Sequence, residues 1–191
     1  TAPQLRRALN AVLPKDVWVA AAHEMRADFH ARYSAISRNY SYYVGTDDTA
    51  NSPFRRAHEW AVATPLDRSA LDRCAAMIHG ERTFRAFAVQ GTAPVHDEHR
   101  CDVIAACWRA RSESDDGSGF VFDIEANRFL HHMVRFLVGT MVDVATGKRP
   151  LSDMELLLAA SDNREVSPPA PPHALFLDRV TYPSELYLHD A

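Results

Sequence analysis

The sequence predicts a mixed α/β protein of the α+β kind, in which helices cover one face of a largely antiparallel sheet. Three observations carry this. Aromatic and β-branched runs recur at Tyr40–Val44, Val103–Arg109 and Phe120–Ala126, the last two joined through the turn-prone ESDDGSG. Apolar residues recur at helical spacing in the stretches around Leu5, Leu71 and Met133. Within Phe120–Ala126, Phe120, Phe122 and Ile124 face one way while Val121, Asp123 and Glu125 face the other, so one sheet face is core and the other wet or functional.

In chain order, Leu5, Leu9, Val12 and Leu13 give a first helix that Pro14 ends, followed by an apolar strand candidate, Val17–Ala22. A polar, arginine-rich connection leads to the Tyr40–Val44 strand. Residues 45–52 are turn-like, and PFRRAHEW reads as a loop with a large apolar anchor at each end, Phe54 and Trp60. Thr64-Pro65-Leu66-Asp67 has the order of a helix start, with Thr64 as N-cap, Pro65 at the first helical position and the acid Asp67 in the first turn. Leu71, Cys74, Ala75 and Ile78 form its apolar stripe and Gly80 its stop. After the strand pair, Met133–Val142 forms a helix closed by Gly147, and Ser152 with Glu155 makes a capping box, stapled by Leu151 and Leu156, for a helix through Ala160. VSPPAPPHA is an extended loop delivering a last strand, Leu175–Thr181.

A chain of 191 residues with 47 % hydrophobic content has the length for a real core. The net charge of -4 is no global signature of a nucleic-acid binder, so RNA affinity would have to come from local patches. Of the 21 basic residues all but Lys15 and Lys148 are arginine, the side chain suited to bidentate phosphate contacts and base stacking. Cys74, Cys101 and Cys107 form no CxxC pair and read as reduced thiols of a cytoplasmic protein. No apolar run approaches the roughly 18 residues that span a bilayer. His131-His132 lacks a further ligand at i+4, and His96 and His99 bracket Asp97-Glu98 in a solvated loop, so no metal site is expected. Nucleophile elbows and glycine-rich phosphate loops are absent from the sequence.

Two features remain. In MVRFLVGTMV, residues 133–142, the only charge is Arg135, and no helix face there is plainly a solvent face. A guanidinium keeps its charge, so it either faces a carboxylate or phosphate, pairs structurally with a neighbouring acid, or snorkels past Val138 to water. The second feature is the mixture of Arg26, His30, Arg32, Tyr33, Arg38, Tyr40, Tyr42 and Tyr43, which suits looped or single-stranded RNA and equally an aromatic strand with a solvated flank.

The segments Phe29-His30-Ala31-Arg32-Tyr33-Ser34-Ala35, Arg38-Asn39-Tyr40-Ser41-Tyr42 and Asn127-Arg128-Phe129-Leu130-His131-His132-Met133-Val134-Arg135 with Val138-Gly139 resemble FHARFSA, RxYxY and NxFLxxMVRxxVG of the tRNA pseudouridine synthase A family. Gly80–Phe87 is similar to its GxHDFxxF segment and Ala170–Tyr182 to its APxxGLxLxxVxY terminus. The resemblance implies the C-terminal half of a pseudouridine synthase fold and isomerisation of uridine in the anticodon stem-loop of tRNA, by a cytoplasmic homodimer using neither cofactor nor metal. It assigns Tyr40 to the tyrosine that packs on the base and Arg135 to the arginine that pairs with a catalytic aspartate. It makes His30, Arg32, Arg38 and Arg128 RNA contacts.

The family's aspartate lies in an RTDxGVHA segment, which does not occur in these 191 residues. The expectation is therefore a C-terminal portion, inactive alone, with residues 1–28 as the end of an N-terminal half and 29–191 as the C-terminal cleft domain. The alternative is a noncatalytic RNA-binding remnant or structural module. Arg135 is then half of an ion pair, facing an open cleft or a stand-in such as Asp123 or Glu125. Arg82 and Thr83 stand where the family often has His-Asp, and Ala174 where it usually has Gly.

Overall fold

The computed structural model describes residues 1–92, 98–111 and 117–188. The chain divides into two compact units, Thr1–Ile36 with Thr181–Ala191, and Ser37–Val180.

In the first unit, helix α1 (Ala2–Val12) is held at its start by the Thr1 amino group donating to Gln4 Oε1 at 3.1 Å, and it ends before Pro14 as expected. The expected strand Val17–Ala22 does not form. A strand needs a neighbour, and here the Asn10 side chain takes that place: its amide donates to the Val19 carbonyl at 2.9 Å and its oxygen accepts from the Val19 N–H at 2.8 Å. Further on, Arg26 N–H donates to the Leu186 carbonyl and Leu188 N–H to the Glu24 carbonyl, both at 3.0 Å, around a bridge between Met25 and Tyr187.

The second unit is built on one sheet, with strands β1 (Ser37–Gly45), β2 (Trp60–Ala61), β3 (Gly80–Thr83), β4 (Arg100–Ala110), β5 (Gly119–Ala126) and β6 (Leu175–Thr181). Their order is β2-β1-β5-β4-β3, with β6 also paired to β1. β1 and β5 run antiparallel with Tyr40 opposite Ile124, as do β4 and β5 with Trp108 opposite Phe122, while β1 and β2 are parallel. The turn expected between β4 and β5, and the His96-Asp97 part of the polar loop, fall largely outside the described residues.

Tyr42, Val44, Phe122, Ile124, Val103 and Trp108 point to the helical side, where helices α2 (Arg68–Met77), α3 (Met133–Ala145) and α4 (Ser152–Ala159) complete the core. The expected stripe of Leu71, Cys74, Ala75 and Ile78 is buried. Every residue of α3 except Arg135 and Asp143 is buried, which agrees with a helix lacking a solvent face. Gly147, at φ +76°, stops it in the left-handed conformation that favours glycine. Among the described residues no helix is long and apolar enough to cross a membrane.

Three local expectations are corrected. The cap of α2 is Asp67, not Thr64: its carboxylate accepts from Ser69 and Ala70 N–H, while its own N–H is tied to the Ala145 carbonyl at 3.0 Å, which holds it outside the helix. In α4, Ser152 is already helical and Leu151 is the N-cap, so no capping box forms. The Pro150 carbonyl accepts from Asp153 N–H, starting the turn one residue early, and Leu156 is exposed rather than stapled. Finally, Trp60 packs on the core but Phe54 is 90 % exposed and anchors nothing.

Candidate active site

The start of β1, the end of β5 and the start of α3 meet at one end of the second unit. A short polar turn does this. Arg38 Nη1 donates to the Asn127 carbonyl at 2.8 Å, and Asn127 Oδ1 accepts from Asp102 N–H at 2.9 Å, which ties β1, β4 and β5 together just before Arg128. Phe129, next along, sets its ring against the edge of Tyr40, with centroids 5.0 Å apart and planes at 87°. Tyr40 is half-buried, and its hydroxyl has no hydrogen-bond partner among the described residues. Arg128 is exposed at the turn.

Arg135 sits at the end of the first turn of α3, half-buried. Its Nε donates to the Ala170 carbonyl at 2.6 Å, and the Ala170 N–H donates back to the Arg135 carbonyl at 3.0 Å. Its Nη1 lies 3.3 Å from His132 Nε2. The loop that accepts it is held a second time by the Tyr42 hydroxyl, which donates to the Pro171 carbonyl at 2.8 Å. Burial pushes the Tyr42 phenol well above its ordinary value and the Arg135 charge works against that, so Tyr42 stays a neutral donor that senses Arg135.

The loop comes this close because residue 139 has no side chain. A Cβ built there would stand 2.3 Å from the Pro168 carbonyl oxygen. Gly139 lies one turn beyond Arg135, so the helix face that carries both is the face that receives residues 168–170.

The expected stand-ins for the missing acid are corrected. Asp123 and Glu125 point to the other side of the sheet. There Asp123 is held by Ser41 and by Arg109 at 2.6 Å, and Glu125 by Ser37 at 2.6 Å and Arg179 at 3.4 Å. β-strand alternation decides this, because neighbours of the core residues Phe122 and Ile124 must face away from α3. Among the described residues no carboxylate lies within ion-pair distance of Arg135. Two of its five N–H groups are taken, by Ala170 and His132, and the Nη2 pair with one Nη1 proton remains for a carboxylate meeting the guanidinium end-on.

His30 and Arg32 belong to the first unit, where both are exposed. His30 Nδ1 accepts from the N–H of Arg32 at 3.1 Å and of Tyr33 at 3.3 Å, so its ring closes a turn. The Arg32 guanidinium lies over the Tyr33 ring, 5.7 Å from its centroid. A depression of about 340 Å³ on the face away from Arg135 is lined by Tyr43, Phe54, Arg55, Glu59, Arg111 and Phe176. Its arginines are both paired with the buried Glu59, so it is a structural ion cluster.

Tyr42, His132 and Gly139 all lie in the segments the sequence offered, Tyr42 among the tyrosines of β1 and His132 and Gly139 at i-3 and i+4 from Arg135, but nothing in the sequence assigned any of them a role at the site. The placement of residues 168–171 gives Tyr42 and Gly139 theirs, and the orientation of the His132 ring toward Arg135 gives His132 its own.

The family profile described as tRNA pseudouridine synthase matches residues 74–183. The chain is 38 % identical to tRNA pseudouridine synthase A of Halalkalibacterium halodurans over 172 residues, covering 90 % of this chain and 62 % of that protein. It is 38 % identical to the Chromobacterium violaceum protein of the same name over 185 residues, covering 95 % and 66 % respectively. With the Porphyromonas gingivalis protein it shares 34 % over 187 residues, covering 98 % of this chain and 71 % of that relative. The chain thus spans less than two thirds of the first two. The matched segments include β4, β5, α3 and β6, the elements that carry Arg135 and the loop holding it, and the chain belongs to the tRNA pseudouridine synthase family.

Proposed function

We propose that the protein isomerises uridine to pseudouridine in the anticodon arm of tRNA, acting as a homodimer, with Tyr40 and Arg135 in the site. In this reaction the N1–C1′ bond breaks, the uracil turns, the C5–C1′ bond forms, C5 gives up a proton and N1 gains one. The observation that carries the reading is Arg135, a charge fixed on a buried helix with its terminal edge uncommitted to any described carboxylate. A carboxylate that has to stay ionised against a stacked base needs such a partner. Tyr40 faces the same side of β1 as Tyr42, whose hydroxyl senses Arg135, and its ring offers a stacking surface with a hydroxyl to move a proton. Arg38 and Arg128, at the same end of the sheet, are proposed phosphate contacts, as are His30 and Arg32 in the first unit.

The test uses the protein expressed from its whole coding sequence, incubated with unmodified tRNA, with pseudouridine read by carbodiimide labelling and primer extension. New stops at anticodon-arm uridines are expected. tRNA binding without any pseudouridine would instead identify a noncatalytic RNA-binding module, and neither binding nor product would reject the RNA reading.

A further inference from the structure

His132 precedes α3 as its N-cap with φ +62°, one of two non-glycine residues with positive φ among those described. Such a backbone is strained for any residue but glycine, though histidine tolerates it better than most. No hydrogen bond from its side chain caps the helix. The ring instead lies against His131, with centroids 4.1 Å apart and planes tilted at 42°, and aims Nε2 at Arg135 Nη1.

We propose that His132 is a positioning residue: its neutral ring accepts a hydrogen bond from Arg135 Nη1 through Nε2 and, with the Ala170 carbonyl on Nε, aims the remaining guanidinium N–H groups at the reacting carboxylate. This rests on the synthase reading of Arg135. Two acceptors on two different nitrogens fix the guanidinium in its plane, which one acceptor does not. Because Nη1 donates, the ring proton is on Nδ1.

The contact depends on protonation. An imidazolium has no acceptor and sets a second positive charge against Arg135, so the pair opens as pH falls. The charged or titratable groups that act on the ring are Arg135 and His131 on its own segment; Tyr42, from β1, acts on Arg135. The loop after residue 167 presents the Ala170 and Pro171 carbonyls. No described carboxylate lies within ion-pair distance. Burial first, then Arg135 and His131, push the imidazole below its ordinary value, so it is neutral at pH 7 and charges only in acid.

His132→Gly and His132→Gln, made in the protein with its whole coding sequence, separate positioning from structure. Glycine relieves the backbone strain, so a merely structural role predicts equal or higher stability and an unchanged rate. The positioning role predicts a single-turnover rate roughly tenfold or more lower with tRNA affinity unchanged. Glutamine, whose oxygen reaches about as far as Nε2, restores most of that rate and moves the onset of the acid loss to lower pH, where the reacting carboxylate itself is protonated. A His132→Gly protein that keeps the wild-type rate, or a His132→Gln protein whose acid limb begins at the same pH as in wild type, overturns the proposal. If the wild type forms no pseudouridine, the functional reading fails and the positioning is read by nitrogen NMR. An unprotonated Nε2 and Arg135 Nη protons that exchange more slowly in wild type than in His132→Gly support the contact. Equal exchange, or a protonated Nε2, rejects it.

Discussion

Arg135 concentrates the protein's chemistry because its charge is obligatory and it stands on a helix that is otherwise almost wholly buried. Two of its donors are engaged within the second unit, by a carbonyl and an imidazole that carry no negative charge, which leaves the ionic demand unmet among the described residues. Replacing it with Met keeps the bulk and removes the charge. Breaking an ion pair of this kind costs about 3 to 5 kcal/mol, so pseudouridine formation by Arg135→Met is expected to fall by roughly a hundredfold or more. tRNA affinity, measured by filter binding, should stay within a few-fold of wild type. Equal losses of rate and affinity would make Arg135 an RNA contact instead. At Tyr40 the ring and the hydroxyl have separable roles. Tyr40→Phe preserves the edge contact with Phe129 and stacking on a base, so an unchanged affinity with a large loss of turnover assigns proton transfer to the hydroxyl. Wild-type turnover would exclude it. Arg135 stood out in the sequence because a single charge in an apolar run is visible without coordinates. His132 did not, since a histidine three residues earlier has meaning only once the rotamers are placed.

At the scale of elements, α3 and the loop at residues 167–174 act together. The loop is pinned by Tyr42 on one side and Arg135 on the other, and it lies against the helix at Gly139. Gly139→Ala puts a methyl group where the Pro168 carbonyl stands, and both neighbours there are backbone. The expected cost is about 1 to 3 kcal/mol in a denaturant titration, with a lower single-turnover rate as Ala170 withdraws from Arg135. An unchanged midpoint would mean that the loop is free to move. The strands β1, β4, β5 and β6 and the helices were legible because each repeats its pattern over several residues, whereas the short β2 and β3 read as the end of a loop and the stop of a helix. The starts of α2 and α4 were not, because several residues there compete as caps and a single tertiary bond decides among them. Asp67 became the cap through its N–H to Ala145, a contact 78 positions away in the chain. The strand predicted at Val17–Ala22 failed for a related reason: apolar composition names a candidate, but only a partner strand makes it a strand, and Asn10 took the hydrogen bonds.

At the scale of the whole molecule, the net charge of -4 gives little general attraction to a polyanion, so tRNA binding must rest on local arginines. Titrating tRNA at rising salt should therefore show steep weakening, about a thousandfold between roughly 50 and 200 mM for some six phosphate contacts. A flat response would reject the RNA reading. By itself, the sequence determined the α+β class, the strands and helices with long periodic patterns, and the isolated charge of Arg135, since periodicity and an isolated charge are properties of neighbours along the chain; the role proposed for Tyr40 came from the resemblance of its segment to the family. Only the tertiary structure decided what Arg135 touches. Strand alternation sends Asp123 and Glu125 to the far side of the sheet, and a glycine admits the 168–170 carbonyls to the near side. The sequence holds both facts, but they acquire consequences only when residues far apart in the chain share a surface.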